Sequence, residues 1–223
     1  MDTDRKLKIG VFIIALNPPY WPFIKNMVES AHKYFLTNHQ VDFLLWSDMP
    51  ELESEKSKAL LASLPTNAQI ASVATEGREV NTLTSREEVE QSIKETRKEL
   101  CKHVFPTEPV EWPLPTLFRY HLFLQQEEIL KEYDYLFYVD VDMVFAGDVG
   151  EEILGEGLTA AQHPMYALRD NYKAPYDLNP ESAAYIKIPQ HYFAGGFQGV
   201  KTQEFFKAMR VMRERIDRDF QRN

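Results

Sequence analysis

Two carboxylates, Asp140 and Asp142, stand at the end of the run Tyr133-Asp134-Tyr135-Leu136-Phe137-Tyr138-Val139. An apolar run of that length reads as a strand buried on both faces. Asp is poorly tolerated inside strands, so Asp140 marks its end. Alternate strand residues share a face, so the two carboxylates can converge on one hard divalent cation, Mn2+ or Mg2+. Such an ion, held between them and a diphosphate, would offset the charge of a departing phosphate group. An Asp-x-Asp pair is common by chance; the long hydrophobic strand before it and its mid-chain position give it weight. Arg119 offers a guanidinium for a phosphate or sugar hydroxyl, or else an ordinary ion pair at the surface. His163, before Pro164 at a strand end, is placed either for ligand contact or as an exposed turn residue. Ala194-Gly195-Gly196 would let a ligand approach the backbone, or form a tight turn or bulge. Tyr20 and Trp21 could stack on a base or serve as rim or core aromatics.

The elements that must position these groups follow from periodicity. Lys8–Leu16 reads as a first strand, followed by a loop at Asn17-Pro18-Pro19-Tyr20-Trp21. Pro22 suits the first turn of a helix whose inner face carries Ile24, Met27, Val28, Ala31 and Phe35. Val41–Trp46 is a second strand, and strand, helix and strand so close together start a βαβ unit. A helix is expected over Glu51–Ala62, a short strand over Ile70–Val73 and a loop at Glu76–Arg78. Ser85 and Glu88 form a capping box for a charged helix running towards Lys102. Its stripe of Val89, Ile93 and Leu100 is thin, which places it on the surface or protruding. Pro106, Pro109, Pro113 and Pro115 break the chain. Thr116 then caps a helix bearing Leu117, Tyr120, Phe123, Leu124 and Ile129. Beyond the aromatic strand, Thr159–Gln162 reads as a strand, Asp170–Pro180 as a loop, Ala183–Ile188 as extended and Thr202–Asp219 as a final helix.

Length and charge bound the rest. A chain of 223 residues is expected to form one domain with a sizeable core. A net charge of −9 argues against broad nucleic-acid or anionic-membrane binding through charge. The single Cys101 excludes an internal disulfide framework and suits a reducing compartment. The apolar stretch Ile9–Leu16 is short and is followed by Asn17-Pro18-Pro19 rather than a small-residue cleavage site, so it reads as a first buried strand rather than a signal sequence. No run approaches the length of a membrane helix, so a cytoplasmic location is expected.

Several segments, in order and spacing, together resemble glycosyltransferase family six. They are Trp112 to Arg119, Tyr133 to Met143, Val149-Gly150-Glu151-Glu152-Ile153-Leu154 and His163-Pro164-Met165-Tyr166. Glu181-Ser182-Ala183-Ala184-Tyr185-Ile186, Tyr192-Phe193-Ala194-Gly195-Gly196-Phe197 and Ser30 to Phe35 complete the set. The resemblance implies an α/β fold of GT-A type with a mixed central sheet flanked by helices. It implies UDP-galactose or UDP-N-acetylgalactosamine as donor, a glycan acceptor, and an α1,3 linkage formed with retention. In that reading Asp140 and Asp142 bind Mn2+ and the nucleotide, with the Val141 backbone nearby. Ile14, Ala15 and Tyr20 grip uracil, Arg119 contacts and orients the donor, and His163 touches the acceptor sugar. Ala194, Gly195 and Gly196 set donor choice; small residues there are permissive for both sugars, and N-acetylgalactosamine is favoured.

The resemblance also marks departures. The stretch near 77–108 reads as a helical insertion in a single domain over 1–223. The family's Trp-His-Asp-Glu-Ser-like segment, with its proposed nucleophilic Glu, has no counterpart before Asn223, which implies a C-terminally truncated chain. Two alternatives therefore stand beside the transferase. One is a catalytically impaired module that binds UDP-sugar or glycan. The other is a haloacid-dehalogenase-like phosphatase, whose nucleophile motif Asp140-Val141-Asp142-Met143-Val144 also fits.

Overall fold

Hydrophobic residues on consecutive positions, rather than alternating ones, build the centre of this protein. In the computed structural model, which describes residues 5–51, 62–63, 85–167, 174–188 and 191–222, β1 (Lys8–Ala15) is buried along almost its whole length. Strands of this kind need cover on both faces. That cover comes from helices placed on either side of a six-stranded sheet.

After β1 comes α1 (Phe23–Tyr34), which turns Ile24, Met27, Val28 and Ala31 inward. β2 (Gln40–Ser47) pairs parallel to β1, closing the expected βαβ unit. Next described is α2 (Arg86–Glu95), opened by the capping box: Ser85 Oγ accepts from Glu88 N, and Glu88 Oε2 accepts from Ser85 N. A π turn at Thr96–Leu100 leads into β3 (His103–Pro106), parallel to β2 at the sheet edge. α3 (Leu114–Leu124) and the short α4 (Glu127–Leu130) precede β4 (Tyr135–Val139), which pairs parallel to β1 on the side away from β2. β5 (Thr159–Gln162), the one-turn α5 (Pro164–Ala167), β6 (Phe193–Lys201) and α6 (Thr202–Phe220) complete the described elements. The strand order is β3-β2-β1-β4-β6-β5, and β6 runs antiparallel to both β4 and β5. The mixed sheet flanked by helices agrees with the expected fold class.

The two faces form separate cores. Ile9, Val11, Ile13, Phe43, Phe137 and Val139 pack beneath α1 and α2. Phe12, Leu44, Trp46, Leu136 and Tyr138 pack against Tyr120 and Phe123 of α3 and Phe205, Phe206 and Met209 of α6. Phe12 is the hub of the second core, with ring centroids 4.7 Å from Phe123 and 5.3 Å from Trp46.

Several expectations are corrected. The charged helix lies at the surface with its charged face exposed, as one of the two expected placements has it, but it does not protrude: Val89 and Ile93 are fully buried in the core shared with α1. Two apolar positions one turn apart suffice because they meet an existing core. The stretch near 77–108 is likewise not purely helical, since β3 within it extends the sheet. Pro106 had suggested a break, but proline is tolerated on an edge strand. α3 begins at Leu114 with Pro113 at its cap position, so Thr116 lies inside the helix instead of capping it. That helix ends at Leu124, and Ile129 belongs to α4. Ala183–Ile188 is turn and bend; Ala183 N donates to Asp219, which ties this segment to α6. The helix expected over Glu51–Ala62, apart from its ends, the strand over Ile70–Val73 and the loop at Glu76–Arg78 lie outside the described residues.

The burial of α2 has a measurable consequence. Ile93→Ala should lower unfolding free energy by about 2 to 5 kcal/mol in denaturant titration, the usual cost of emptying a core site. A loss below about 0.5 kcal/mol would fit a solvated surface helix instead.

Candidate functional site

β1 has β2 on one side and β4 on the other, so the connections leave it in opposite directions. Open α/β sheets bind ligands in the crevice outside the carboxyl ends of their strands at such a point. A cleft of about 170 Å3 lies there. Ile14, Leu16, Asn17 and Tyr20 line it from β1 and the loop that follows. Trp112, Pro115, Thr116 and Arg119 come from α3 and its approach, and Tyr138, Asp140, Val141 and Asp142 from β4 and its exit. Trp112, 81% exposed, and Tyr20, 44% exposed, stand at its rim.

Asp140 is fixed from several sides. Its backbone N–H donates to Gly196 O at 2.8 Å, continuing the β4–β6 ladder past the end of β4. The Tyr138 hydroxyl donates to Asp140 Oδ1. Tyr138 sits two residues earlier, on the same face. Burial, with the carboxylate beside it, pushes the Tyr138 hydroxyl well above the usual tyrosine range, so it remains a proton donor.

Arg119 is almost fully buried, and a buried cation needs acceptors. Nε donates to Thr116 O at 2.9 Å and Nη1 to Gly195 O at 3.0 Å. Nη1 lies 3.9 Å from Asp140 Oδ1, and the guanidinium carbon lies 4.2 Å from the centre of the Tyr138 ring. Arg119 therefore joins α3, β6 and the Asp140 carboxylate in one cluster.

The adjacent glycines of β6 have unlike surroundings. A Cβ on Gly196 would lie 2.5 Å from Asp140 Oδ2 and 3.1 Å from Met143 Sδ. A Cβ on Gly195 would meet nothing within 4 Å. Gly196 is small to admit the carboxylate; Gly195 leaves open space.

Six of the expected residues thus come together: Ile14, Tyr20, Arg119, Asp140, Val141 and Asp142. The two acids do not meet by strand alternation, however. β4 ends at Val139, and Asp142 reaches the cleft from an exposed turn. Ala15 is fully buried with its side chain in the α1-side core, and only its backbone faces the strand end. Ala194, Gly195, Gly196 and His163 are not among the residues lining this cleft. His163 stands at the end of β5, its ring 5.0 Å from Tyr166 and 5.8 Å from Tyr192. Its backbone N–H donates to Tyr192 O, just before β6. Trp21 is core, not rim. Cys101 is no nucleophile near neutral pH, because burial pushes its thiol up to about 12.

Sequence reasoning missed Tyr138 and Asp48. Strand alternation could have found Tyr138, which shares the face of Asp140. Asp48 follows β2, and its Oδ1 accepts from Asn17 N at 2.9 Å and from Trp21 Nε1 at 3.1 Å. No local pattern announces a contact of that kind.

No three His, Cys, Asp or Glu side chains converge as a metal cluster among the described residues. Two carboxylates at an open cleft suit a hard cation that keeps waters and completes its shell with phosphate oxygens. They do not suit a cage built from protein alone.

Residues 121–222 match the sequence model of Glycosyltransferase family 6. Globoside alpha-1,3-N-acetylgalactosaminyltransferase 1 of Mus musculus is 28% identical over 216 residues, which are 95% of this chain and 51% of that protein. The chain is thus similar to members of glycosyltransferase family 6. Another relative is Histo-blood group ABO system transferase 1 of Rattus norvegicus, 27% identical over 86% of this chain and 45% of its own length. The Gallus gallus globoside alpha-1,3-N-acetylgalactosaminyltransferase 1 is 42% identical over 82 residues, 34% of this chain and 24% of that protein. The chain spans about half the length of the curated relatives it matches. Family 6 has a GT-A-type fold, which the mixed sheet with helices on both faces matches. The family 6 match takes in Asp140, Val141, Asp142, His163 and Ala194 to Gly196, and begins just after Arg119.

The contrast between the two glycines can be tested directly. Gly196→Ala should lower stability by about 1 to 3 kcal/mol, because neither the anchored carboxylate nor the strand can yield cheaply. Gly195→Ala should stay within about 0.5 kcal/mol of the parent in the same thermal or denaturant unfolding measurement.

Proposed function

We propose that this chain binds a UDP-sugar in the cleft between β1 and β4 and transfers its galactose or N-acetylgalactosamine to a glycan acceptor with retention. The observation that carries the reading is the cleft at the switch point, where Asp140 and Asp142 meet a buried Arg119 below an aromatic rim. Asp140 and Asp142 would hold Mn2+ or Mg2+, which when bound supplies Lewis-acid stabilisation of the leaving diphosphate. Tyr138 orients Asp140 by hydrogen bonding to Oδ1. Arg119 adds fixed positive charge where negative charge develops on UDP, and charge of this kind needs no reorganisation during reaction. Tyr20 and Ile14 offer an aromatic ring and an aliphatic edge for uracil.

In the reaction the bond between sugar C1 and the diphosphate oxygen breaks. The acceptor hydroxyl oxygen bonds to C1 from the same face, and its proton passes to the departing diphosphate. The small residues Ala194 and Gly195, with open space beside Gly195, support N-acetylgalactosamine as the donor sugar. The printed name of the mouse relative, an N-acetylgalactosaminyltransferase, supports the same choice.

Calorimetric titration with UDP in manganese tests the reading. Binding should be seen for the parent chain, disappear with a chelator, and weaken at least about tenfold in Asp142→Ala, the loss expected when a charged ligand contact is removed. UDP release from UDP-N-acetylgalactosamine should rise when a glycan acceptor is added. Metal-independent UDP binding, unaffected by Asp142→Ala, would defeat the proposal.

A further inference from the structure

The loop that follows β1 carries an unusual backbone. Asn17 has φ 76° and ψ 141°, a region that residues with a side chain rarely occupy and that persists only where the surroundings impose it. Strain of this kind at a cleft wall is a reason to look for what holds it. The loop's own hydrogen bonds, Tyr20 N to Asn17 O and Trp21 N to Pro18 O, close a single 3-10 turn and do not reach the Asn17 N–H.

The restraint comes from the end of β2. One oxygen, Asp48 Oδ1, accepts from Asn17 N at 2.9 Å and from Trp21 Nε1 at 3.1 Å, so it grips both ends of the loop. Trp21 is 1% exposed and anchored in the core, which gives the grip a fixed base. Next to Asp48, Ser47 Oγ donates to Ala15 O at 2.6 Å and accepts from Met49 N at 3.1 Å, bracing the last residue of β1. Burial pushes the Asp48 carboxyl above its usual range, while its two donors pull the other way. Asn17 and Tyr20, between the gripped ends, both line the cleft.

We infer that Asp48 is a positioning residue for nucleoside recognition, a clamp that presets the Asn17–Tyr20 wall against which the base of a bound nucleotide rests. The inference rests on the nucleotide reading of the cleft and extends it to a residue that touches no ligand. Asp48 acts through the loop, on the side of the cleft away from the metal-facing carboxylates. Its loss should therefore separate the two halves of the ligand: base recognition weakens and diphosphate recognition does not.

The test compares UDP with pyrophosphate, both titrated in manganese into the parent chain, Asp48→Ala and Asp48→Asn. Asp48→Asn keeps an oxygen acceptor of the same shape and guards against a variant that fails to fold; thermal unfolding confirms that each is folded. Asp48→Ala, which loses both hydrogen bonds to the loop, should bind UDP about tenfold more weakly, with pyrophosphate within about twofold of the parent. Asp48→Asn should recover most of the UDP affinity. Equal weakening of both ligands, or no weakening of UDP, overturns the clamp while leaving the nucleotide reading in place. A parent chain that binds pyrophosphate but gains nothing from uridine overturns both.

Discussion

The close pairing of β4 with β6 is the constraint on which the rest depends. It carries Asp140 N to Gly196 O and sets the Asp140 carboxylate over a residue without a side chain. Once that carboxylate is seated, Tyr138 can donate to one of its oxygens and Arg119 can lie beside it with two backbone carbonyls in support. A guanidinium as buried as Arg119 would otherwise be costly. The charge cluster and the sheet register are thus one arrangement, and neither stands without the other.

The register is held at the opposite end too. Thr202 Oγ1 donates to Tyr133 O at 2.6 Å and Thr202 N to Asp134 O at 3.1 Å, so the junction of β6 and α6 is tied to the entry of β4. A slip of one residue would turn every side chain of β6 to the other face. A slip in one direction would put Phe197 in place of Gly196 beneath the carboxylate, and a slip in either would take Gly199 away from the Phe137 ring. The glycines therefore act as register marks as well as spacers.

How much of this was legible in the sequence follows the range of the interactions. β1, β2, β4 and α1 could be read because continuous apolar runs and helical periodicity are local patterns. The Ser85–Glu88 capping box is a motif of four residues and is found as written. The edge strand β3 was hidden by Pro106, and α3 was mistaken at its start because Pro113 can cap without a side-chain bond. Asp140 and Asp142 were visible as types and spacing, but the turn that brings Asp142 to the cleft was not. Asp48 could not be seen at all, since its meaning lies in a backbone N–H and an indole N–H from another part of the chain. The family resemblance placed Ile14, Tyr20 and Arg119 beside the two acids. It gave a sugar-pocket reading to Gly196, whose small size is already explained by Asp140.

The separation of β4 and β6 along the chain has a consequence for biosynthesis. β4, with Tyr135, Leu136, Phe137, Tyr138 and Val139 in succession, is made well before the strand that covers its edge. Until β6 arrives, a nascent chain carries an aromatic strand with one open side, the kind of edge that recruits other strands. Pairing across so long a stretch of sequence is also slow to form. The ladder that seats Asp140 thus forms only after β6 has followed β4 out, and the carboxylate has no fixed place until it does.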